Sequence, residues 1–131
     1  SEYMHVVNAT GMCQFIMMGA PNDRIPEWIN AETGWETTHE EMRQAGERIA
    51  NIRMAFNIRE GDIPTKRRIP GRLWGASPLE AGPHKDIQMD MKTLEQDYLA
   101  ACDWDPETAA PSKKKLESLG LADVAQAIKA H

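Results

Sequence analysis

Cysteine and histidine are the side chains of this sequence with the clearest capacity for metal or nucleophilic chemistry. The cysteines are Cys13 and Cys102, and the histidines are His5, His39, His84 and His131. No histidine pairs with another histidine or a cysteine at helical or zinc-finger spacing, and no C-x-x-C occurs. Because free cysteine is among the most often buried residue types, Cys13 taken alone is interpreted as a buried thiol in preference to a metal ligand. Cys102 is interpreted as a structural thiol.

Patterns for other chemistries do not stand out. The sequence has no G-x-S-x-G, no Cys–His–Asn pattern and no glycine-rich phosphate loop with its lysine. The carboxylates Glu40, Glu41 and Glu47 are interpreted as the solvated face of a helix. The basic run 66–68 is interpreted as a solvated loop. The basic run 113–115 falls in the first turn of a predicted helix, where cations meet the positive end of the dipole, which predicts an acidic neighbour.

Composition limits the class of protein. The 131 residues suit one domain over 1–131, with 41% hydrophobic and 27% charged residues. Fifteen Lys and Arg against twenty Asp and Glu give a net charge of −5, which argues against broad nucleic-acid binding. No apolar run approaches the roughly 18 residues that would span a membrane. Two cysteines and eight methionines fit a reducing interior, so a cytoplasmic location is expected.

The clearest predicted element is a helix that begins near His39 and ends at Gly61. Thr38 and Glu41 fit a capping box, and glycine is a frequent helix stop. Apolar residues recur there at intervals of three and four, which predicts one buried face. Its members are Met42, Ala45, Ile49, Ile52 and Phe56.

Other local signals predict shorter helices and one long loop. A helix follows Pro26 and stops at Gly34, and another starts near Asp90. The predicted inner face of the latter is formed by Met91, Leu94, Tyr98 and Ala101. Ser112 caps a helix that ends at Gly120, and a last helix covers 121–130. The Pro- and Gly-rich segment 62–89 predicts an irregular loop. The fold class is all-α, an irregular bundle of about four to six helices.

Several strings, in order and in register, change the interpretation. TGWETT (33–38), GERIANIRMAFNIREG (46–61) and YLAACDWDPETAAPSKKKLESLGL (98–121) resemble the C-terminal region of the aldehyde ferredoxin oxidoreductase family. The family also has an L-P-x-R loop, which residues 69–72 (Ile-Pro-Gly-Arg) resemble. The resemblance runs from about residue 8 to residue 124, and therefore implies that this domain is the C-terminal part of a larger oxidoreductase.

The resemblance assigns roles to the segment around Cys13. The family has a D-x-x-G-L-C segment whose cysteine is the fourth ligand of a 4Fe–4S cluster, the other three lying far upstream. By that match Cys13 is a cluster ligand, which reverses the interpretation made from the residue alone. Asn8, Gly11 and Met12 fall at pterin-contacting positions, with Asn8 in place of the family's Asp. An amide offers one acceptor oxygen where a carboxylate offers two, so a changed pterin contact is expected there.

The resemblance implies oxidation of an aldehyde with water to a carboxylic acid at a tungsten- or molybdenum-bispyranopterin. Electrons would leave through the 4Fe–4S cluster to ferredoxin. No catalytic residue is assigned to this stretch, and the isolated chain is expected to be inactive and to bind no cofactor. Upstream domains of the same polypeptide are expected partners, a homo-oligomer is left open, and no nucleic acid or membrane is expected. Two alternatives remain: a cofactor-free helical interaction module, and a subunit of a related acyl-CoA reductase.

Missing upstream domains would leave apolar surface uncovered in residues 8–18. The side chains expected to lose a partner surface are Met12, Phe15, Ile16, Met17 and Met18.

Overall fold

The structure is a computed structural model that describes residues 2–21 and 24–128. Within those ranges it has seven α-helices, two 3-10 turns and no β-strand. The helices are α1 Glu2–Thr10, α2 Ile16–Gly19, α3 Arg24–Thr33, α4 His39–Arg59, α5 Met91–Cys102, α6 Lys113–Ser118 and α7 Ala122–Ile128. The all-α prediction is confirmed. The last predicted helix is described only to residue 128, and His131 lies outside the described residues.

The sequence did not predict α1 or α2. Helix α1 carries two consecutive β-branched residues, Val6 and Val7, and ends in Asn-Ala-Thr, so its intrinsic helix propensity is low. Tertiary packing decides the outcome, because both valines are buried against Ile25, Ile29 and Met42 in the first core cluster. The helix is therefore stabilised by its partners rather than by its own sequence.

Helix α4 begins as predicted. The Thr38 hydroxyl accepts from the Glu41 amide at 3.2 Å, and the Glu41 carboxylate accepts from the Thr38 amide at 2.8 Å. At the other end Gly61 has φ +81°, a left-handed conformation that glycine adopts without strain.

The predicted buried face of α4 is correct only in part. Met42 is buried, but Ile52 is exposed and Phe56 is 54% exposed. The residues that α4 buries are Met42, Gly46, Asn51 and Ala55. Hydrophobic periodicity does not predict this face, because it includes Gly46 and Asn51. These two residues are buried only because other elements pack against them.

Gly46 permits the close approach of α1 to α4. A Cβ at this position would lie 2.2 Å from the Glu2 carbonyl oxygen and 2.7 Å from its carbon, so no side chain fits. Arg43 of α4 adds an ion pair with the Glu2 carboxylate at 3.2 Å. The contact fixes α1, and therefore the turn that follows it, on the N-terminal half of α4.

Helix α5 meets the core near its C-terminal end. Leu99 is buried with Trp104 and Ala109 in a separate cluster. Leu94, Tyr98 and Ala101 are exposed, so the predicted inner face of α5 is wrong. These residues do share one face of α5, but that face lies on the surface of the described chain.

Helices α6 and α7 form their own small core and are tied to α4. The core consists of Leu116, Leu119, Leu121 and Ala125. Ser112 caps α6 as predicted, accepting from the Lys115 amide at 3.0 Å. Lys115 Nζ also lies 2.7 Å from Glu47 Oε1, which confirms the predicted acidic neighbour of the basic run. Next to it, Arg48 donates to the Leu119 carbonyl.

The segment 62–89 is irregular, as predicted, with 3-10 turns at Pro64–Lys66 and Gly71–Leu73. Arg67 of the basic run donates to Asp62 with Nε–Oδ1 at 2.9 Å, as expected for a solvated loop. Thr65 donates to the Glu107 carbonyl, which joins the segment to the turn after α5. No helix in the described ranges is long and apolar enough to cross a membrane.

Candidate cofactor-binding turn

The predicted site residues lie at the end of α1 and in the turn that follows. The Thr10 hydroxyl donates to the Val7 carbonyl at 2.9 Å in the last turn of α1. Gly11 then reverses the chain with φ +77°, which a residue with a side chain would adopt only with strain. The Cys13 carbonyl accepts from the Ile16 amide at 3.0 Å, and α2 begins at Ile16, three residues after the cysteine.

Three of the four predicted site residues are open to solvent. Asn8, Gly11 and Cys13 are exposed, and a Cβ built on Gly11 would meet nothing within 4 Å. Met12 differs, because its side chain packs against the first core cluster. The interpretation of Cys13 as a buried thiol is therefore wrong.

The donor set of this turn can contribute to a metal cluster but cannot hold one alone. A 4Fe–4S cluster takes four cysteine thiolates. Across residues 2–21 and 24–128 no group of three or more His, Cys, Asp or Glu side chains could hold a metal ion. The exposed Cys13 thiol thus fits a single ligand of a group whose other ligands come from outside the described chain.

The apolar residues beside the turn divide into two sets. Phe15 and Met18 are largely exposed, whereas Ile16 and Met17 pack, like Met12, against the first core cluster. The expected loss of a partner surface therefore concerns Phe15 and Met18 and not the whole group.

Cys102 occupies a different environment. It is half-buried and packs against the cluster of Leu99 and Trp104. Burial raises the pKa of its thiol, which outweighs the opposing effect of its hydrogen bond to Tyr98. A thiol held protonated in this way fits the predicted structural role, because the thiolate is the form that binds metal.

His5, on α1, was missed as a notable residue. Its Nδ1 is buried and has no hydrogen-bond partner among the described residues. Burial lowers the pKa of His5, and the Arg53 guanidinium lowers it further. No sequence signal marks this histidine, since its environment arises from the packing of α1 on α4.

Two aromatic residues of the matching strings, Phe56 and Trp35, are largely exposed. The expectation that Phe56 packs is wrong: its ring is largely exposed, with Arg59 Cζ 5.0 Å from the centroid. Trp35 is 62% exposed. At the end of α4, Arg59 donates to Glu60 at 2.9 Å, whereas Arg48 donates to the Leu119 carbonyl and not to the helix end.

Comparison with known proteins matches most of the chain to one family. The family model described as aldehyde ferredoxin oxidoreductase, domains 2 and 3, matches residues 1–121. A tungsten-containing aldehyde ferredoxin oxidoreductase of Pyrococcus furiosus is 30% identical over 118 residues. Proteins of the same name from Pyrococcus abyssi and Thermococcus kodakarensis are 31% and 29% identical.

Each of these matches covers 90% of the chain but 19% of the relative, so the chain spans about a fifth of its relatives' length. The family model alone covers far more than half of the chain. The chain therefore belongs to the aldehyde ferredoxin oxidoreductase family.

Proposed function

We propose that this chain is the C-terminal part of a tungsten-containing oxidoreductase that converts an aldehyde to a carboxylic acid and passes the electrons to ferredoxin. The match of residues 1–121 to domains 2 and 3 of the family carries this proposal. The exposed Cys13 thiol supports it, because a ligand of a cluster built largely by other segments must face outward. The protein is proposed to act in the cytoplasm, because free thiols such as Cys13 and Cys102 persist in that reducing compartment.

Cys13 supplies one thiolate to the 4Fe–4S cluster, and the turn after α1 aims it away from the core. Because it has no side chain, Gly11 would let the pterin approach the backbone of the turn. Asn8 offers an amide to the pterin edge, with one acceptor and one donor group. Met12 anchors the turn to the first core cluster and so fixes the direction of its neighbours. When bound, a tungsten- or molybdenum-bispyranopterin supplies the oxidation with water, and the cluster supplies one-electron relay.

Other parts of the polypeptide complete the site. The three remaining cluster ligands and the groups that touch substrate come from upstream domains in this proposal. The chain alone is then inactive, because one thiolate of four and one edge of a pterin site do not make a redox centre.

The test is metal analysis of the full-length protein with two matched variants. Cys13→Ser should lose the iron, the electron paramagnetic resonance signal of the reduced cluster, and aldehyde-dependent reduction of ferredoxin. Cys102→Ser should keep all three, because Cys102 is half-buried and packs against the cluster of Leu99 and Trp104. Full iron and an unchanged signal in Cys13→Ser would overturn the assigned ligand.

The same measurements decide between the alternatives. Tungsten or molybdenum together with iron supports an oxidoreductase, and the ratio of the two metals identifies the native one. A full-length protein that contains none of these metals would be a helical interaction module. Metals with turnover of acyl-CoA but not of free aldehydes would indicate the related acyl-CoA reductase.

A further inference from the structure

A half-buried histidine on α1 takes no part in the proposed site. The Nδ1 atom of His5 is buried and has no hydrogen-bond partner among the described residues. His5 lies about one helical turn before Asn8, on the helix that leads into the turn of Cys13. Because buried polar atoms in proteins are nearly always paired, this unpaired nitrogen marks an unusual contact between α1 and the rest of the fold.

The two protonation states of His5 place different demands on this contact. In the neutral ring with its proton on Nε2, Nδ1 is an acceptor that lacks a donor. Protonation turns Nδ1 into an N–H donor that lacks an acceptor, and it adds a positive charge to a partly desolvated ring. The packing of α1 on α4 therefore favours the neutral ring.

The charges around His5 act in the same direction. The Arg53 guanidinium of α4 and the terminal amino group of the chain both disfavour a positive charge on the ring. In a longer polypeptide the terminal amino group is absent, and Arg53 remains.

Carboxylates of the neighbouring helices are engaged by other cations. Glu2 of α1 pairs with Arg43 at 3.2 Å, and Glu47 of α4 pairs with Lys115 at 2.7 Å. Glu27 of α3 pairs with a cation of its own helix at 2.8 Å. A protonated His5 would have to compete with these cations for a counter-charge.

The close packing of α1 on α4 leaves outward movement as the way for water to reach the charged ring. Inward movement is blocked at Gly46, where a Cβ would lie 2.2 Å from the Glu2 carbonyl oxygen. The turn must follow such a movement, because the Thr10 hydroxyl donates to the Val7 carbonyl at 2.9 Å. Met12 also packs against the core cluster that contains Val7.

We propose that His5 makes the contact between α1 and α4 sensitive to pH: protonation of its ring releases α1 and displaces the turn that carries Asn8 and Cys13. The consequence for the cluster rests on the proposed function, in which Cys13 is one of the ligands. Burial and the Arg53 guanidinium lower the pKa of His5, so the release sets in below pH 6.5. Acid then loosens one of the thiolate ligands without changing the groups that touch substrate.

Hydrogen exchange of the full-length protein between about pH 5 and pH 8 tests the proposal. After correction for the intrinsic pH dependence of exchange, the α1 amides should lose protection as the pH falls below 6.5. For one proton the loss is at most about tenfold per pH unit. The amides of α6, which belongs to a separate core cluster, are the internal control. Constant protection of α1 across this range would overturn the proposal.

Three variants assign the effect to His5. His5→Gln should abolish the pH dependence of α1 exchange, and His84→Gln, at an exposed position, should preserve it. Arg53→Gln should move its onset to higher pH, because a charge that opposes protonation is removed. A pH dependence that survives in His5→Gln overturns the proposal. If His5→Gln does not fold, an unmoved onset in Arg53→Gln overturns it.

Iron content and the electron paramagnetic resonance signal are measured on the same samples. At about pH 5 the wild-type protein should lose iron faster than His5→Gln does. Exchange of α1 that depends on His5, in a protein that never holds iron or tungsten, overturns the oxidoreductase proposal alone. Bound iron together with pH-independent exchange of α1 overturns the pH-sensitive contact alone.

Discussion

The turn after α1 and the turn after α5 have similar backbone conformations but differ in the exposure of their cysteines. The turn after α1 and the turn after α5 each have a residue with left-handed φ, Gly11 at +77° and Asp103 at +57°. Each also has a cysteine within two residues of that position, Cys13 after the first and Cys102 before the second. The first cysteine is exposed and the second is half-buried.

The turn after α5 is closed by its own chain. The Trp104 indole donates to the Asn51 amide oxygen of α4 at 2.9 Å, so both polar groups are paired in the interior. The Asp105 carboxylate accepts from the Thr108 amide at 2.8 Å, and Ser112 donates to Asp103 at 2.6 Å. Every one of these contacts lies within the described chain.

The turn after α1 has no comparable closure on its outer side, where Asn8, Cys13 and Phe15 face solvent. Local turn conformation therefore does not decide the role of a cysteine. The groups packed over the turn decide it: Cys102 packs against the cluster of Leu99 and Trp104, whereas in this proposal cofactor and upstream polypeptide cover Cys13.

Removing the centre of the closed turn should have the largest effect. Trp104 is 8% exposed, and Trp104→Ala should lower the free energy of unfolding by about 3–5 kcal/mol through lost burial and a cavity. Trp35→Ala, at a largely exposed tryptophan, should change it by about 0.5 kcal/mol or less. Urea denaturation measures both, and equal losses would show that the closed turn has no special weight in the fold.

Adding one methyl group at Gly46 should disturb the support of the open turn. Gly46→Ala should lower the free energy of unfolding by about 1–3 kcal/mol, because its Cβ would overlap the backbone of α1 at Glu2. Gly19→Ala is the matched control, since nothing lies within 4 Å of a Cβ there. Stabilisation by Gly46→Ala, as helix propensity alone would give, would mean that α1 does not pack here.

Thiol labelling compares the two cysteines directly. A disulfide reagent such as Ellman's should modify Cys13 first under native conditions, because its side chain is exposed. Cys102 should react slowly until the chain unfolds, because burial raises the pKa of its thiol. Cys13→Ser should remove the fast phase and Cys102→Ser the slow one. The reverse assignment would contradict the contrast between the turns.

The smallest expected effect is a pH dependence from His5. Its folded-state pKa lies below the ordinary value of 6.5, so below that pH the unfolded chain binds more protons than the folded one. The free energy of unfolding should therefore fall as pH drops below 6.5, with a slope of at most about 1.4 kcal/mol per pH unit.

His5→Gln should reduce that slope, measured by urea titration at several pH values. His84→Gln, at an exposed position in the segment 62–89, is the matched control and should preserve it. A slope that survives in His5→Gln would assign the effect to other groups.

Capping residues and terminal glycines in the sequence predicted the helices that begin or end at them. The capping box at Thr38, the cap at Ser112 and the stops at Gly61 and Gly120 are all present in the structure. Helix α1 could not be predicted in this way, because Val6 and Val7 favour it only once they are buried against other elements. The buried faces of α4 and α5 also depended on partners distant in sequence.

The candidate site shows the same limit. Its residues were found through resemblance, because Asn8, Gly11 and Cys13 have no spacing that indicates metal or pterin chemistry by itself. Their exposure was then a property of the fold: nothing in the eight residues around Cys13 states which side of the turn faces the core. The hydrogen bond from Trp104 to Asn51 was likewise invisible, since 53 positions separate the two residues.

The adjacent contacts of Glu47 and Arg48 have a topological consequence. They join α4 to α6 across 68 and 71 positions of sequence. The chain between them therefore forms a long loop whose two ends are held together. The entropic cost of closing such a loop rises by only about 0.6 kcal/mol for each doubling of its length. Insertions between residues 62 and 89 should therefore be tolerated by α4, α6 and α7.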